Sequence, residues 1–159
     1  MSLSSDAVAK WLALIRIYAG AFWLIHAWPK WMAPETFMPP NGFLGGAVQK
    51  MTAESTGFYH TFLANTVSPN VGLFAELMRI GEAAVGISLL LGLLTRIGGL
   101  GGMFLALNYM LAKSAFSDPN GFGGLDAAAF VLSFINFVLP SGAVWSVDSV
   151  LGRGRRRRT

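Results

Sequence analysis

Four apolar runs, each broken by a few polar residues, divide the chain: 11–28, 71–94, 97–113 and 124–140. A bilayer crossing needs about 20 such residues in a helix, so the pattern predicts an all-α, four-helix integral membrane bundle. The domain expected from it covers 1–152, followed by a basic tail at 153–159. Pro140 is expected to stop the fourth helix. Thr95 and Arg96 mark a tight hairpin between the second and third runs, and the turn-rich stretch 114–124 joins the third to the fourth. Between the first two runs lies a longer connection, 29–70. It begins with Pro29, Pro34, Pro39 and Pro40, and 44–67 then reads as one or two amphipathic helices lying in the interface or capping the bundle.

Composition agrees with this reading. Of 159 residues, 53% are hydrophobic and 13% charged, where a soluble domain of this size carries about 25% charge. Cysteine is absent, which excludes disulfides and cysteine-held clusters within this chain. The net charge of +4 is more than accounted for by Arg153, Arg155, Arg156, Arg157 and Arg158. Such a tail reads as an anchor facing anionic membrane lipid. A nucleic-acid partner is not expected, because no folded basic domain accompanies it.

Lys10, Arg96 and the arginine tail fall on one side of a four-crossing topology. The positive-inside rule makes that side cytoplasmic and both termini cytoplasmic, in a bacterial or archaeal inner membrane. Trp28 and Trp31 then mark the outer interface, and Trp11 the inner one. Lys10 ahead of an apolar run also suits a cleaved signal peptide, but an uncleaved first helix is the preferred reading.

Charges inside the apolar runs are the candidates for chemistry, since a charge at membrane depth normally faces a partner, a cavity or a substrate path. Glu76 and Glu82 fall about 60° to either side of Arg79 on one helical arc. Helical rise places His26 about 22 Å into the first segment, level with Arg79, and Arg16 about 8 Å in. Two groups follow. An outer cluster of His26, Glu76 and Arg79, roofed by Lys30, suits proton-coupled chemistry on a quinone or the binding of a small anion. His26 and Glu76 are the candidate catalytic pair, with Arg79 and Lys30 holding substrate or quinone. Deeper in, Arg16 and Glu82 are expected to pair as a structural network.

Other polar residues carry less. His60 lies in the outer connection, which disfavours a haem held with His26, and no metal-binding spacing occurs; no metal or haem is expected. Gly98 and Gly102 form one GxxxG, suited to close helix packing. Asn108 and Asn136 read as interhelical amides, and Asp126 as favouring a helix dipole.

The first segment, with Arg16, Gly20, Phe22, His26 and Lys30, resembles the first helix of DoxX/DoxD-like membrane proteins. Glu82 to Gly86, followed by Leu91-Gly92-Leu93-Leu94-Thr95-Arg96, resembles the second helix and inner hairpin of the same family. Ala27 departs from the pattern, which often has glycine there. The resemblance covers about 11–140. It implies a four-helix membrane bundle and a redox-linked role, some relatives being subunits of thiosulfate:quinone oxidoreductase and others partners of oxidative-stress enzymes.

Two readings stay open at this level. One is a membrane oxidoreductase subunit passing electrons from a small donor such as thiosulfate to quinone. The other is a non-catalytic accessory subunit that docks and stabilises a larger bioenergetic complex. Both imply protein partners in the membrane. A transporter is disfavoured, because no inverted repeat is evident.

Overall fold

The computed structural model describes residues 4–114, 116 and 124–156. They are helical almost throughout, and no strand occurs among them. Four long helices form the body: α1 (Ser5–Met32), α5 (Val71–Leu91), α6 (Thr95–Ala112) and α7 (Leu125–Val138). Three short ones, α2 (Pro34–Phe37), α3 (Phe43–Glu54) and α4 (Gly57–Phe62), lie between α1 and α5, and α8 (Val147–Arg156) follows α7. Of the four crossings expected, among the described residues α1 alone is long and apolar enough to cross a membrane, while α7 is apolar but shorter.

The first helix is longer at both ends than its apolar run. Ser4 Oγ accepts from Ala7 N (3.2 Å), and Asp6 pairs with Lys10 at 2.6 Å, so the helix begins at Ser5. At the other end it continues through Pro29 to Met32. Proline removes one backbone donor but tolerates helical φ. Contacts from Lys30 and Trp31 to α5 hold the last turn. The connection therefore starts after Met32, not at residue 29, and Lys30 is a helical residue.

Helices α1 and α5 run antiparallel in a register set by glycine. Gly20 lies against the backbone of Leu90, and Gly86 against Leu24. A side chain at either glycine would collide, so the pair approaches as closely as small residues permit. The register brings Lys30 and Trp31 level with Arg79, about a turn beyond the expected partner His26. Helix α6 uses glycine on two sides. Gly98 and Gly101 face Ser88 and Val85 of α5, whereas Gly99 and Gly102 face Phe137 and Ser133 of α7. The single GxxxG stripe is thus shared between two neighbours.

The turn between α5 and α6 is Gly92–Leu94, and Thr95 is already helical. Gly92 takes φ 65°, closing α5 with Gly92 N to Leu89 O (3.3 Å) and Leu93 N to Ser88 O (2.9 Å). The expected 114–124 connection lies almost wholly outside the described residues. Residues 153–156 of the expected tail form the end of α8, and 157–159 are not described.

The core has two parts. Ala19, Trp23, Val85, Leu89, Ala106 and Ala129 join the four long helices. Phe37, Leu44, Val48, Leu63, Val67 and Ala75 join the short helices to the start of α5. The connection between α1 and α5 is thus a packed cap, with helices close to the expected 44–67.

Candidate functional site

Arg16 and Glu82 do not meet. Arg16 is fully buried at the α5–α6 turn, where every hydrogen bond it makes is to backbone oxygen. Nη1 donates to Leu89 O (2.8 Å) and Leu90 O (3.3 Å), Nε to Ser141 O (3.1 Å) and Nη2 to Trp145 O (2.6 Å). The first two are carbonyls at the C-terminus of α5, where the helix dipole favours a cation. The guanidinium fork suits this convergence of oxygens. Trp145 holds a positive φ of 51° while presenting its carbonyl.

Asp148 completes this clasp from α8. Its carboxylate accepts from Leu94 N (2.9 Å), Thr95 N (2.9 Å) and Thr95 Oγ1 (2.8 Å), capping α6. Burial pushes its pKa up, but these hydrogen bonds and the nearby Arg16 charge outweigh it and hold the carboxyl below its usual range.

Glu82 belongs to the other end. Its side chain is 2% exposed, and it accepts from Lys30 Nζ at 2.5 Å and Tyr109 Oη at 2.7 Å. Three helices contribute one residue each: α1, α5 and α6. Lys30 Nζ also sits 4.9 Å from the centroid of the Phe37 ring. The triad borders an open, largely apolar cleft of about 1040 Å³. Phe22, Phe37 and Tyr59 add aromatic walls, and Tyr59 Oη donates towards Asn108 O (3.1 Å) and Oδ1 (3.2 Å). Burial raises the Tyr59 phenol above its ordinary pKa. At the far rim Lys113 pairs with Asp126 at 2.6 Å.

The expected outer cluster is divided. His26 is exposed at the cleft wall, stacked on Phe22 with centroids 4.3 Å apart, and its Nδ1 donates to Phe22 O (2.8 Å). Glu76 and Arg79 pair with each other at 2.9 Å and do not line the cleft. Arg79 Nη1 donates to Lys30 O (3.4 Å), and its guanidinium lies 4.4 Å from the Trp31 ring. Arg79 thus braces the end of α1. Lys30, expected as a roof over that cluster, turns inward to Glu82.

Tyr109, Asn108, Tyr59 and Asp126 join the cleft without having been assigned to a site from sequence. The adjacent polar pair Asn108-Tyr109 inside an apolar helix was the available signal. Asn136 is not interhelical: its Nδ2 donates to Leu132 O of its own helix (2.8 Å). Among the described residues no group of three or more His, Asp or Glu side chains converges as a metal site. His60 Nδ1 donates to Thr52 O (2.8 Å) within the cap.

Comparison with protein families gives a match to the model described as the TQO small subunit DoxD, over residues 11–157. Comparisons with curated proteins and with solved structures each give no match.

Proposed function

The chain belongs to the DoxD family, small subunits of thiosulfate:quinone oxidoreductase, a membrane redox complex, and from that premise we propose that its Glu82 cleft is the quinone site. The observation that carries this reading is a buried carboxylate, shared by a lysine and a tyrosine, at the wall of an apolar cleft. Such clefts, with few convergent polar groups, are where small ligands bind. Reduction of a quinone to a quinol takes two electrons and two protons. The electrons come from thiosulfate oxidised in the complex. The protons are this chain's task. Glu82 takes up and passes a proton, Tyr109 Oη donates a hydrogen bond to a ring oxygen, and Lys30 balances the charge. His26, with Nδ1 committed to Phe22 O, presents Nε2 at the cleft wall and replenishes the proton.

In this reading α1, α5, α6 and α7 cross the membrane, and the cap covers its outer face. Ile25, Ile80, Leu90, Leu100, Val131 and Phe134 are exposed on these helices, as lipid-facing residues are. Lys10, Arg96 and α8 share the cytoplasmic end with the Arg16–Asp148 clasp.

The test uses the reconstituted complex with Glu82→Gln, Tyr109→Phe and Lys30→Met. Turnover should fall about 10²-fold or more for Glu82→Gln, the contribution of a positioned acid–base group, with the complex intact. Full turnover in all three variants would remove the cleft from the chemistry. Loss of assembly without loss of specific activity would favour the accessory-subunit reading.

A further inference from the structure

The cleft has two unlike ends. Around Glu82 it is polar and partly roofed by the cap. From there it runs along the junction of α5 and α6 towards Leu93, Leu94 and Ile97, and it carries no charged side chain on that course. Gly81, Gly98 and Gly101 let α5 and α6 pack closely beneath this course, against Leu105, Ser88 and Val85. Its walls include Ala84, Ile87 and Phe104, and all three are exposed. Between Glu82 and Ser88 the groove follows α5 for about 9 Å.

We infer that this α5–α6 groove seats the isoprenoid chain of the ligand whose ring lies at Glu82, so that chain length is recognised here. The inference rests on the quinone reading of the polar end. Continuity argues for it, since ring site and groove form one cleft. So does chemistry: a chain of branched hydrocarbon needs an apolar course without hydrogen-bonding groups, and a groove open along its side admits it laterally. The chain need not thread beneath the cap. Its inner half reaches the depth of Ser88, whose Oγ is already committed to Leu93 O at 2.6 Å and so offers little polar competition.

The experiment is a binding series on the purified full-length protein in one detergent, with quinones sharing a ring and bearing no chain, one isoprene unit or several. Wild type is compared with Ala84→Trp and, from the opposite wall, Ile97→Trp. Both positions are exposed, so the larger ring fills the groove without entering the core. Detergent partitioning is common to all three proteins and cancels. In wild type, affinity should rise at least tenfold from the chainless to the longest ligand. In both variants that rise should shrink to less than threefold, while the chainless ligand binds as in wild type. An unchanged rise in both variants would overturn the groove assignment and leave the ring site standing. Absence of saturable binding by every ligand in wild type would instead overturn the quinone reading itself, and this inference with it.

Discussion

The two ends of the bundle bury charge in opposite ways. At the end formed by the α5–α6 turn, Arg16 is surrounded by backbone carbonyls, which cannot move without unwinding a helix or reshaping a loop. Towards the cap, Glu82 is held by two side chains that can swing, beside open space. Both solve the same problem, a charge out of water. Only the second leaves its partners free to exchange for a ligand. Burial alone therefore does not mark a site; a buried charge with replaceable partners beside a cavity does.

Breaking the Arg16 end should have the largest effect. Arg16→Met strands the Leu89, Leu90, Ser141 and Trp145 carbonyls and loosens Asp148. A loss of about 3–5 kcal/mol is expected, because several buried carbonyls lose their donor and each one left unsatisfied costs about 1–3 kcal/mol. The protein should then fail to accumulate as a folded species in detergent, by size-exclusion and thermal unfolding. Near-normal stability would mean that the clasp does not hold the fold.

Glu82→Gln sharpens the contrast from the other end. The amide oxygen still accepts from Tyr109 or Lys30, so the stability cost should be about 1.5–3 kcal/mol, the range for hydrogen bonds to a charged group. Thermal unfolding should show a modest shift alongside the large loss of turnover. An unfolding shift matching that of Arg16→Met would erase the distinction between clasp and site.

Acid should separate the ends next. The folded Asp148 carboxyl titrates below its ordinary value of 3.8, so its contribution to stability is present above that pH. It is lost as pH falls through the lower, folded value. Wild type should therefore release α8 under strong acid, read by proteolysis near 147–156 or by fluorescence of the adjacent Trp145. Asp148→Asn should show that exposure already at neutral pH and little further change on acidification.

The smallest effect is expected from Tyr59→Phe, which removes one bond between the cap and α6. About 1 kcal/mol is the usual worth of such a bond. Chemical unfolding should show it as a small midpoint change, with quinone affinity altered less than by any change at Glu82.

The sequence by itself determined the four long helices, the helical cap between the first and second, and the presence of charge within apolar runs. Those follow from local pattern, because hydrophobic periodicity and proline act over a few residues. It also marked Glu82, Lys30, Arg16 and His26 as residues needing explanation. It did not determine their partners. Helix α8 escaped notice because its apolar stretch is short and its role depends on Asp148 reaching the α5–α6 turn. Pairing depended on the register of α1 against α5, fixed by Gly20 and Gly86 meeting Leu90 and Leu24, and on the helix continuing past Pro29. One turn of register moved Arg79 from His26 to Lys30 and Trp31, and sent Lys30 to Glu82. Tyr109 entered the site because α6 packs between two neighbours through glycines on different sides. Such contacts join residues far apart in the chain, so only tertiary packing could decide which buried charge was a clasp and which faced a cleft.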